Sequence, residues 1–134
     1  MDTAAPLRVL AVDDDARGLA RLSTLLRWDG HQTTTAESFE SARRQLREQR
    51  FDLLVTKLRL EAYNGLHLVL YGRTFSPHTA CIIVMSENDP ATESEAARLG
   101  AGVLVGSVEP TRLRTLLTSV LENRLLRAEG LTLA

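Results

Sequence analysis

The chain has a single cysteine, Cys81, among its 134 residues. An internal disulfide is therefore excluded, and one cysteine fits a reducing compartment. No apolar run is long enough to span a bilayer, and residues 1–6 lack the basic start and apolar stretch of a secretion signal. The net charge is only −1, so the chain has no strong overall electrostatic attraction to nucleic acid or to an anionic membrane. We predict a cytoplasmic protein with no membrane and no nucleic acid among the partners of this chain.

Lysine is nearly absent: 15 of the 16 basic residues are arginine, and the only lysine is Lys57. The three histidines, His31, His67 and His78, fall on different predicted elements and show no metal-ligand spacing. No glycine-rich phosphate loop and no Ser-His-Asp arrangement is present. We therefore expect a domain that is not an enzyme.

Short apolar runs alternate with amphipathic segments along the whole chain, which is typical of βαβ units and a parallel sheet. The pattern predicts an α/β protein with a (βα)5, doubly wound, five-stranded parallel sheet of the flavodoxin-like class. The predicted strands are 7–12, 31–36, 51–56, 79–85 and 102–105, and the predicted helices are 16–28, 39–49, 66–73, 91–99 and 110–126. Residues 58–64 are predicted to be a loop. This gives one domain over 7–126, between a leader at 1–6 and a tail at 127–134.

In such sheets the functional groups gather where the strands end, at their carboxyl edge. Polar residues follow four of the five predicted strands at this edge. They are Asp13, Asp14 and Asp15 after the first strand, Lys57 after the third, Ser86 after the fourth, and Gly106 and Ser107 after the fifth.

Three segments of the chain resemble the receiver domain of bacterial response regulators, in the right order and at the expected separations. They are VLAVDDDARGLARLSTLL, FDLLVTKLRLEAYNGLHLV and IIVMSENDPATESEAARLGA, and the resemblance covers about residues 8–126. It implies the receiver fold and a role in two-component, or phosphorelay, signal transduction. In that family a phosphoryl group passes from a phosphohistidine to an aspartate that ends the third strand, beside Mg²⁺ and an acidic pair. The implied partners are a histidine kinase or an effector domain.

Carried over residue by residue, the resemblance makes Asp13 and Asp14 the acidic pair, with Asp14 the better candidate for a metal ligand. Ser86 matches the switch hydroxyl, and Gly65 matches the glycine after the active-site loop. Lys57, however, falls on the phosphoacceptor position.

Three further positions depart from the family pattern. The proline usually seen after the acceptor is Glu61, and the aromatic switch position of the fifth strand is Val103. The lysine that follows this strand in the family falls on Gly106, or on Ser107 if the register shifts by one. Neither register supplies an ammonium group.

Lys57 should stand opposite Asp13 and Asp14, where a cation lowers the repulsion between the carboxylates and favours their ionised forms. Its charge would repel an incoming divalent cation. We therefore expect no cofactor, weak or absent Mg²⁺ binding, and no aspartyl phosphorylation. Asp52 cannot replace the acceptor, because it starts the strand about 16 Å from Lys57 at a rise of about 3.3 Å per residue.

Simpler interpretations of the same residues stay open. The run of three aspartates could do no more than stabilise the positive, N-terminal end of a helix dipole, with Asp15 as the N-cap. Ser86 could be only a turn residue. Lys57 could be a plain structural ion pair. The arginines at 43, 44, 47 and 50 are expected to form a solvated helix face.

Three functions remain in competition. The first is a degenerate receiver, or pseudo-receiver, that acts by protein–protein interaction without phosphorylation. The second is a phosphate-accepting response regulator with an unusual acceptor, and the third is a small-molecule or nucleotide binder on a flavodoxin-like sheet. Under the first, a homodimer could form through the fourth helix, fifth strand and fifth helix. Glu93 and Glu95 would then pair with Arg112 and Arg114 across subunits.

Overall fold

A computed structural model describes residues 6–128, with side chains up to residue 125. The elements are β1 (Arg8–Val12), α1 (Ala16–Trp28), β2 (Gln32–Ala36), α2 (Phe39–Glu48), β3 (Leu53–Lys57), β4 (Arg59–Leu60), β5 (Tyr63–Asn64), α3 (Gly65–Phe75), β6 (Ala80–Met85), α4 (Pro90–Arg98), β7 (Gly102–Val105) and α5 (Pro110–Ala128). The predicted α/β class is confirmed.

Five strands form one parallel sheet in the order β2-β1-β3-β6-β7. The inner strands β1, β3 and β6 are apolar and almost wholly buried, as expected for strands covered on both faces. β2 is the polar, threonine-rich strand of the sequence, and it lies at an edge of the sheet as its half-exposed residues require.

Helices cover both faces of the sheet. On one face α1 and α5 contribute Leu19, Leu22, Leu26, Leu113 and Val120 to a single apolar cluster. On the other face α2, α3 and α4 contribute Ala42, Leu46, Leu68, Val69 and Ala96 to a second cluster. The predicted doubly wound arrangement is therefore confirmed.

The segment 58–64 differs from the loop predicted for it, because β4 and β5 pair as a short antiparallel hairpin. Leu60 is 2 % exposed and anchors the hairpin to the core, while Glu61 at the turn adopts a left-handed φ of 50°. Asn64 then caps α3 by accepting the N–H groups of Leu66 and His67. For this reason α3 begins one residue earlier than predicted, and it ends two residues later, at Phe75.

Several other boundaries also move by one or two residues. Lys57 is the last residue of β3, where the prediction had it follow the strand. α5 continues to Ala128, so Arg127 lies in the helix although the prediction put it in the tail. The rest of that tail, 129–134, and the leader residues 1–5 lie outside the described residues. Within the described part, no helix combines the length and the apolar character needed to cross a membrane.

The order of the strands fixes where a site can form. From β1 the chain passes first to β2 on one side and then to β3 on the other. A crevice therefore opens between the carboxyl ends of β1 and β3, at the topological switch point of the sheet.

Candidate functional site

The register between β1 and β3 brings two charged residues together at this crevice. Val12 pairs with Thr56 in the sheet. Asp13, directly after β1, and Lys57, the last residue of β3, therefore lie side by side. Because side chains alternate between faces, Thr56 points away from them, is fully buried, and donates its hydroxyl to the carbonyl of Lys57.

The ammonium group of Lys57 lies between two carboxylates. Its Nζ is 3.2 Å from Oδ1 of Asp14, to which it donates a hydrogen bond, and 3.6 Å from Oδ1 of Asp13. The Lys57 side chain is 38 % exposed, and each aspartate side chain is 16 % exposed. The predicted meeting of these three residues is therefore present, in a crevice that still admits solvent.

The electrostatics of this cluster favour the charged lysine. Partial burial on its own would lower the pKa of Lys57, but the hydrogen bond to Asp14 and the charges of Asp13 and Asp14 together outweigh it. The net result is a pKa of Lys57 above its ordinary value of 10.5. The Lys57 side chain is therefore in its ammonium form at neutral pH.

The acidic run after β1 divides between two tasks. Asp15 is the N-cap of α1, because its Oδ2 accepts the N–H of Gly18 at 3.1 Å. Asp13 accepts the N–H of Asp15 through Oδ1 at 2.9 Å, which fixes its carboxylate beneath the first turn of α1. The helix-terminus explanation therefore holds for Asp15, while Asp13 and Asp14 face Lys57.

Gly18 is a residue of the site that the sequence analysis missed. A Cβ built on Gly18 would collide with Oδ2 of Asp13, so only glycine leaves that carboxylate its place against α1. A glycine inside an amphipathic helix is unfavourable by itself. Its presence at position 18 was the sequence feature that could have pointed to a close contact there.

Two open clefts flank the cluster, and Asp13, Lys57 and Val84 line both of them. The smaller cleft, about 220 Å³, lies against α1 and reaches Arg21 and Ser107. The larger cleft, about 520 Å³, has the residues that follow β6 along its wall, including Ser86, Glu87, Asn88 and Asp89.

The remaining predicted positions lie around these clefts. Ser86 is exposed and lines the larger cleft. Val103 is half-buried and packs on the α2–α3–α4 side of the sheet, whereas its neighbour Leu104 is buried on the α1–α5 side. Gly106 has a left-handed φ of 89° and donates its N–H to the carbonyl of Met85. Ser107, the other register for the missing lysine, is the one that lines a cleft with Lys57.

The charged groups at the centre of the crevice are two carboxylates with one ammonium between them. Magnesium prefers several oxygen ligands in octahedral geometry. Here the ammonium of Lys57 already contacts Oδ1 of Asp13 and Oδ1 of Asp14. Among the described residues no group of three or more His, Cys, Asp or Glu side chains is placed to hold a metal.

Asp52, which the sequence analysis rejected as an acceptor, lies at the other end of β3. Its Oδ2 accepts the N–H of Arg8 at the start of β1, and its Oδ1 is 3.7 Å from Arg124. It therefore takes no part in the crevice.

The four residues considered for pairing across subunits have partners within the chain. Glu95 pairs with Arg98, and Arg114 pairs with Asp29. Glu93 accepts the N–H of Asp89, and the guanidinium of Arg112 donates to the carbonyls of Val105 and Ser107. These contacts give the predicted cross-subunit pairs no support.

Comparison with known proteins agrees with the geometry. The family profile described as the response regulator receiver domain matches residues 9–118, and the chain belongs to this family. It is 34 % identical over 122 residues to the alginate biosynthesis transcriptional regulatory protein AlgB of Pseudomonas aeruginosa, covering 90 % of this chain and 27 % of AlgB. It is 31 % identical over 93 residues to the transcriptional regulatory protein ZraR of Escherichia coli, covering 69 % of this chain and 21 % of ZraR.

Among solved structures, the crystal structure of a CheY-like receiver domain protein from Methanospirillum hungatei superimposes with a TM-score of 0.82. The two share 19 % identity, and the match covers 92 % of this chain and 99 % of that one. This likeness confirms the receiver fold, and the family match confirms a receiver domain of two-component systems. The chain spans about a quarter of the length of the curated relatives that it matches.

Proposed function

We propose that this receiver domain is a degenerate one, which works in two-component signalling by protein–protein interaction and without phosphorylation. The observation that carries the proposal is the position of Lys57, whose Nζ lies 3.2 Å from Asp14 and 3.6 Å from Asp13 at the carboxyl end of the central strand β3. An ammonium at the end of this strand has no lone pair available while protonated, so it cannot accept a phosphoryl group as a carboxylate would.

The raised pKa of Lys57 supports a permanently silent site. Because the hydrogen bond and charges of the aspartates outweigh the partial burial, the neutral amine that could act as a nucleophile is scarcer at neutral pH than for an ordinary lysine. We therefore propose that neither Lys57 nor the aspartates beside it accept phosphate.

The same cation argues against a magnesium cofactor. A divalent ion would have to displace the ammonium from two carboxylate oxygens and then remain within a few ångströms of it. We propose that Mg²⁺ binding is weak or absent, and that the loss of a lysine at Gly106 or Ser107 belongs to the same change. Without a phosphoryl group, a second cation at this edge has nothing to neutralise.

The proposed output is binding to a signalling protein, such as a histidine kinase or an effector domain. The relatives AlgB and ZraR are transcriptional regulatory proteins, and the match covers 27 % and 21 % of their lengths, which supports a signalling partner for this chain. We propose that this chain has no enzymatic activity and acts in the cytoplasm, which the presence of a single cysteine in the sequence fits.

Phosphodonor labelling tests the proposal directly. The protein is incubated with acetyl phosphate and Mg²⁺, and its intact mass is measured beside that of a receiver domain with an aspartate at the end of its third strand. The control should gain one phosphoryl group, while this chain should keep its mass. A phosphoryl group on this chain, mapped to Asp13 or Asp14, would overturn the proposal in favour of a regulator with an unusual acceptor.

A small-molecule binder remains the second candidate, and the larger cleft favours it. Its volume of about 520 Å³ lies within the range of about 300–1,000 Å³ that is common for ligand sites. A nucleotide or other polar ligand that raises the melting temperature in wild type, and no longer does so after Ser86→Leu, would favour this function.

A further inference from the structure

Aromatic rings are scarce in this chain, and most of them meet on one surface. Only six residues are Phe, Tyr or Trp, and four of these lie on α2, on the β4–β5 hairpin or on α3. We call this surface the aromatic face and define it by Phe39, Tyr63, Tyr71 and Phe75 with the neighbouring Leu70.

The aromatic face is exposed and already ordered. Tyr63, Leu70 and Phe75 are 46 %, 53 % and 64 % exposed, and they are three of the five exposed large hydrophobic residues in the described part of the chain. Phe39 stacks on Tyr63 at 4.5 Å between centroids, and Tyr71 packs on Phe75 at 4.6 Å. Rings held in this way lose little side-chain entropy on binding, and they resemble the rigid aromatic anchors of protein interfaces.

The spacing of these residues suits a helical partner. His67, Tyr71 and Phe75 recur every four residues along α3, with Leu70 beside them, and α3 extends for about 16 Å at 1.5 Å per residue. The partner would lay its own apolar stripe along this helix, with anchors at a matching spacing of three and four residues.

The charges around the aromatic face define the partner's chemistry. Across α2, the β4–β5 hairpin and α3, the five arginines outnumber the three glutamates; the arginines are at 43, 44, 47, 59 and 73, and the glutamates are at 40, 48 and 61. Arg43 of α2 lies over the ring of Tyr71, where it is paired with Glu40. Nearby on α2 the exposed Arg44 and Arg47 have no ion pair within the described residues. A face of aromatic rings beside unpaired guanidinium groups is complementary to an apolar stripe flanked by carboxylates.

We infer that the aromatic face is the docking site for an acidic amphipathic helix of a partner protein. This inference rests on the proposed interaction role, and it names both the surface and the chemical class of the partner. It does not involve the crevice around Lys57. Failure of the inference and failure of the proposed function are therefore distinguishable, because peptide binding reports on the aromatic face and labelling with acetyl phosphate reports on the crevice.

The test uses two synthetic helical peptides with the same leucine and phenylalanine stripe. One has glutamate at its remaining positions and the other has lysine. Each is titrated into ¹⁵N-labelled protein, and amide shifts are mapped by NMR while affinity is measured by fluorescence anisotropy. The acidic peptide should shift amides of α2, the hairpin and α3, and it should bind at least tenfold more tightly than the lysine peptide.

Single substitutions distinguish binding at the aromatic face from nonspecific hydrophobic binding. Phe75→Ser should weaken binding of the acidic peptide about tenfold, as expected for an interface anchor, and Arg47→Glu should weaken it several-fold. Trp28→Ser is the matched control, because Trp28 is 83 % exposed but lies at the end of α1, and it should leave affinity unchanged.

Three results would overturn the inference. They are equal affinity for both peptides, shifts confined to α4 and α5, and no shift at millimolar peptide. Sedimentation provides the fourth check. A dimer that Phe75→Ser converts to monomer would mean that a second copy of this chain, and not an acidic partner, covers the face.

Discussion

Replacing Lys57 with methionine removes the ammonium from the crevice and keeps most of the side chain's length. The two carboxylates would then face each other with no cation between them. Two unit charges 3.2 Å apart, the distance from Nζ to Asp14, attract by roughly 1.3 kcal/mol at the permittivity of water. Measured exposed pairs reach only about 0.2–1 kcal/mol, and Lys57 is 38 % exposed. With Asp13 as a second partner, we expect a loss of about 1 kcal/mol in the free energy of unfolding at pH 7.

The pH dependence of this loss has a definite sign. Because the folded-state pKa of Lys57 lies above the ordinary 10.5, the stabilisation is complete below about pH 10 and disappears as the pH rises through the folded-state value. The difference between wild type and Lys57→Met should therefore be constant from pH 7 to pH 9.5 and should shrink above it.

Urea unfolding followed by circular dichroism measures both quantities. Arg98→Met is the matched control, since the Arg98 side chain is 75 % exposed and, within residues 6–125, forms an ion pair only with Glu95 one turn earlier. This substitution should cost less than about 0.5 kcal/mol. If Lys57→Met is as stable as wild type, or its effect grows above pH 10, the electrostatic reasoning is refuted.

Three other substitutions, the first with a matched control, test the local structure, each by its free energy of unfolding. Gly65→Ala should cost about 1–3 kcal/mol, because its Cβ would lie 2.6 Å from the carbonyl oxygen of Lys57, while Gly72→Ala in the same helix meets nothing within 4 Å and should gain up to about 1 kcal/mol. Equal effects would contradict this contact. Glu61→Gly should stabilise by up to about 1 kcal/mol, because it relieves the left-handed φ of 50°, and a loss would show that Glu61 makes a compensating contact. Asp89→Asn should destabilise more at pH 7 than at pH 2.5, because hydrogen bonds from Thr92 lower the pKa of Asp89, so the carboxylate stabilises above the unfolded-state pKa and the effect fades as pH falls. A pH-independent loss would exclude this cause.

The sequence was sufficient for the sheet because its signals are local and strong. Buried strands read as apolar runs, helices show their apolar stripe, and Asp15 and Ser38 cap α1 and α2 as their residue types suggest. The same logic located Lys57 beside Asp13, since parallel strands end at one edge.

Features that depend on contacts between distant segments could not be predicted from the sequence. The β4–β5 hairpin has only two residues per strand, too few for a periodic signal. The place of Gly18 depends on the Asp13 carboxylate folding back onto α1. The aromatic face joins Phe39 and Tyr63, which lie 24 positions apart, in a stack that no single segment encodes.

The central claim is that the Lys57 ammonium keeps a metal ion from binding in the crevice, and one measurement tests it directly. Lys57 is the only lysine, so protein labelled with ¹⁵N-lysine has a single side-chain ammonium to follow by NMR. We predict that this nitrogen titrates with a midpoint above 10.5, and that its resonance at neutral pH stays in place as Mg²⁺ is raised to 20 mM. A midpoint at or below 10.5, together with a saturable shift at one equivalent of Mg²⁺, would contradict the account.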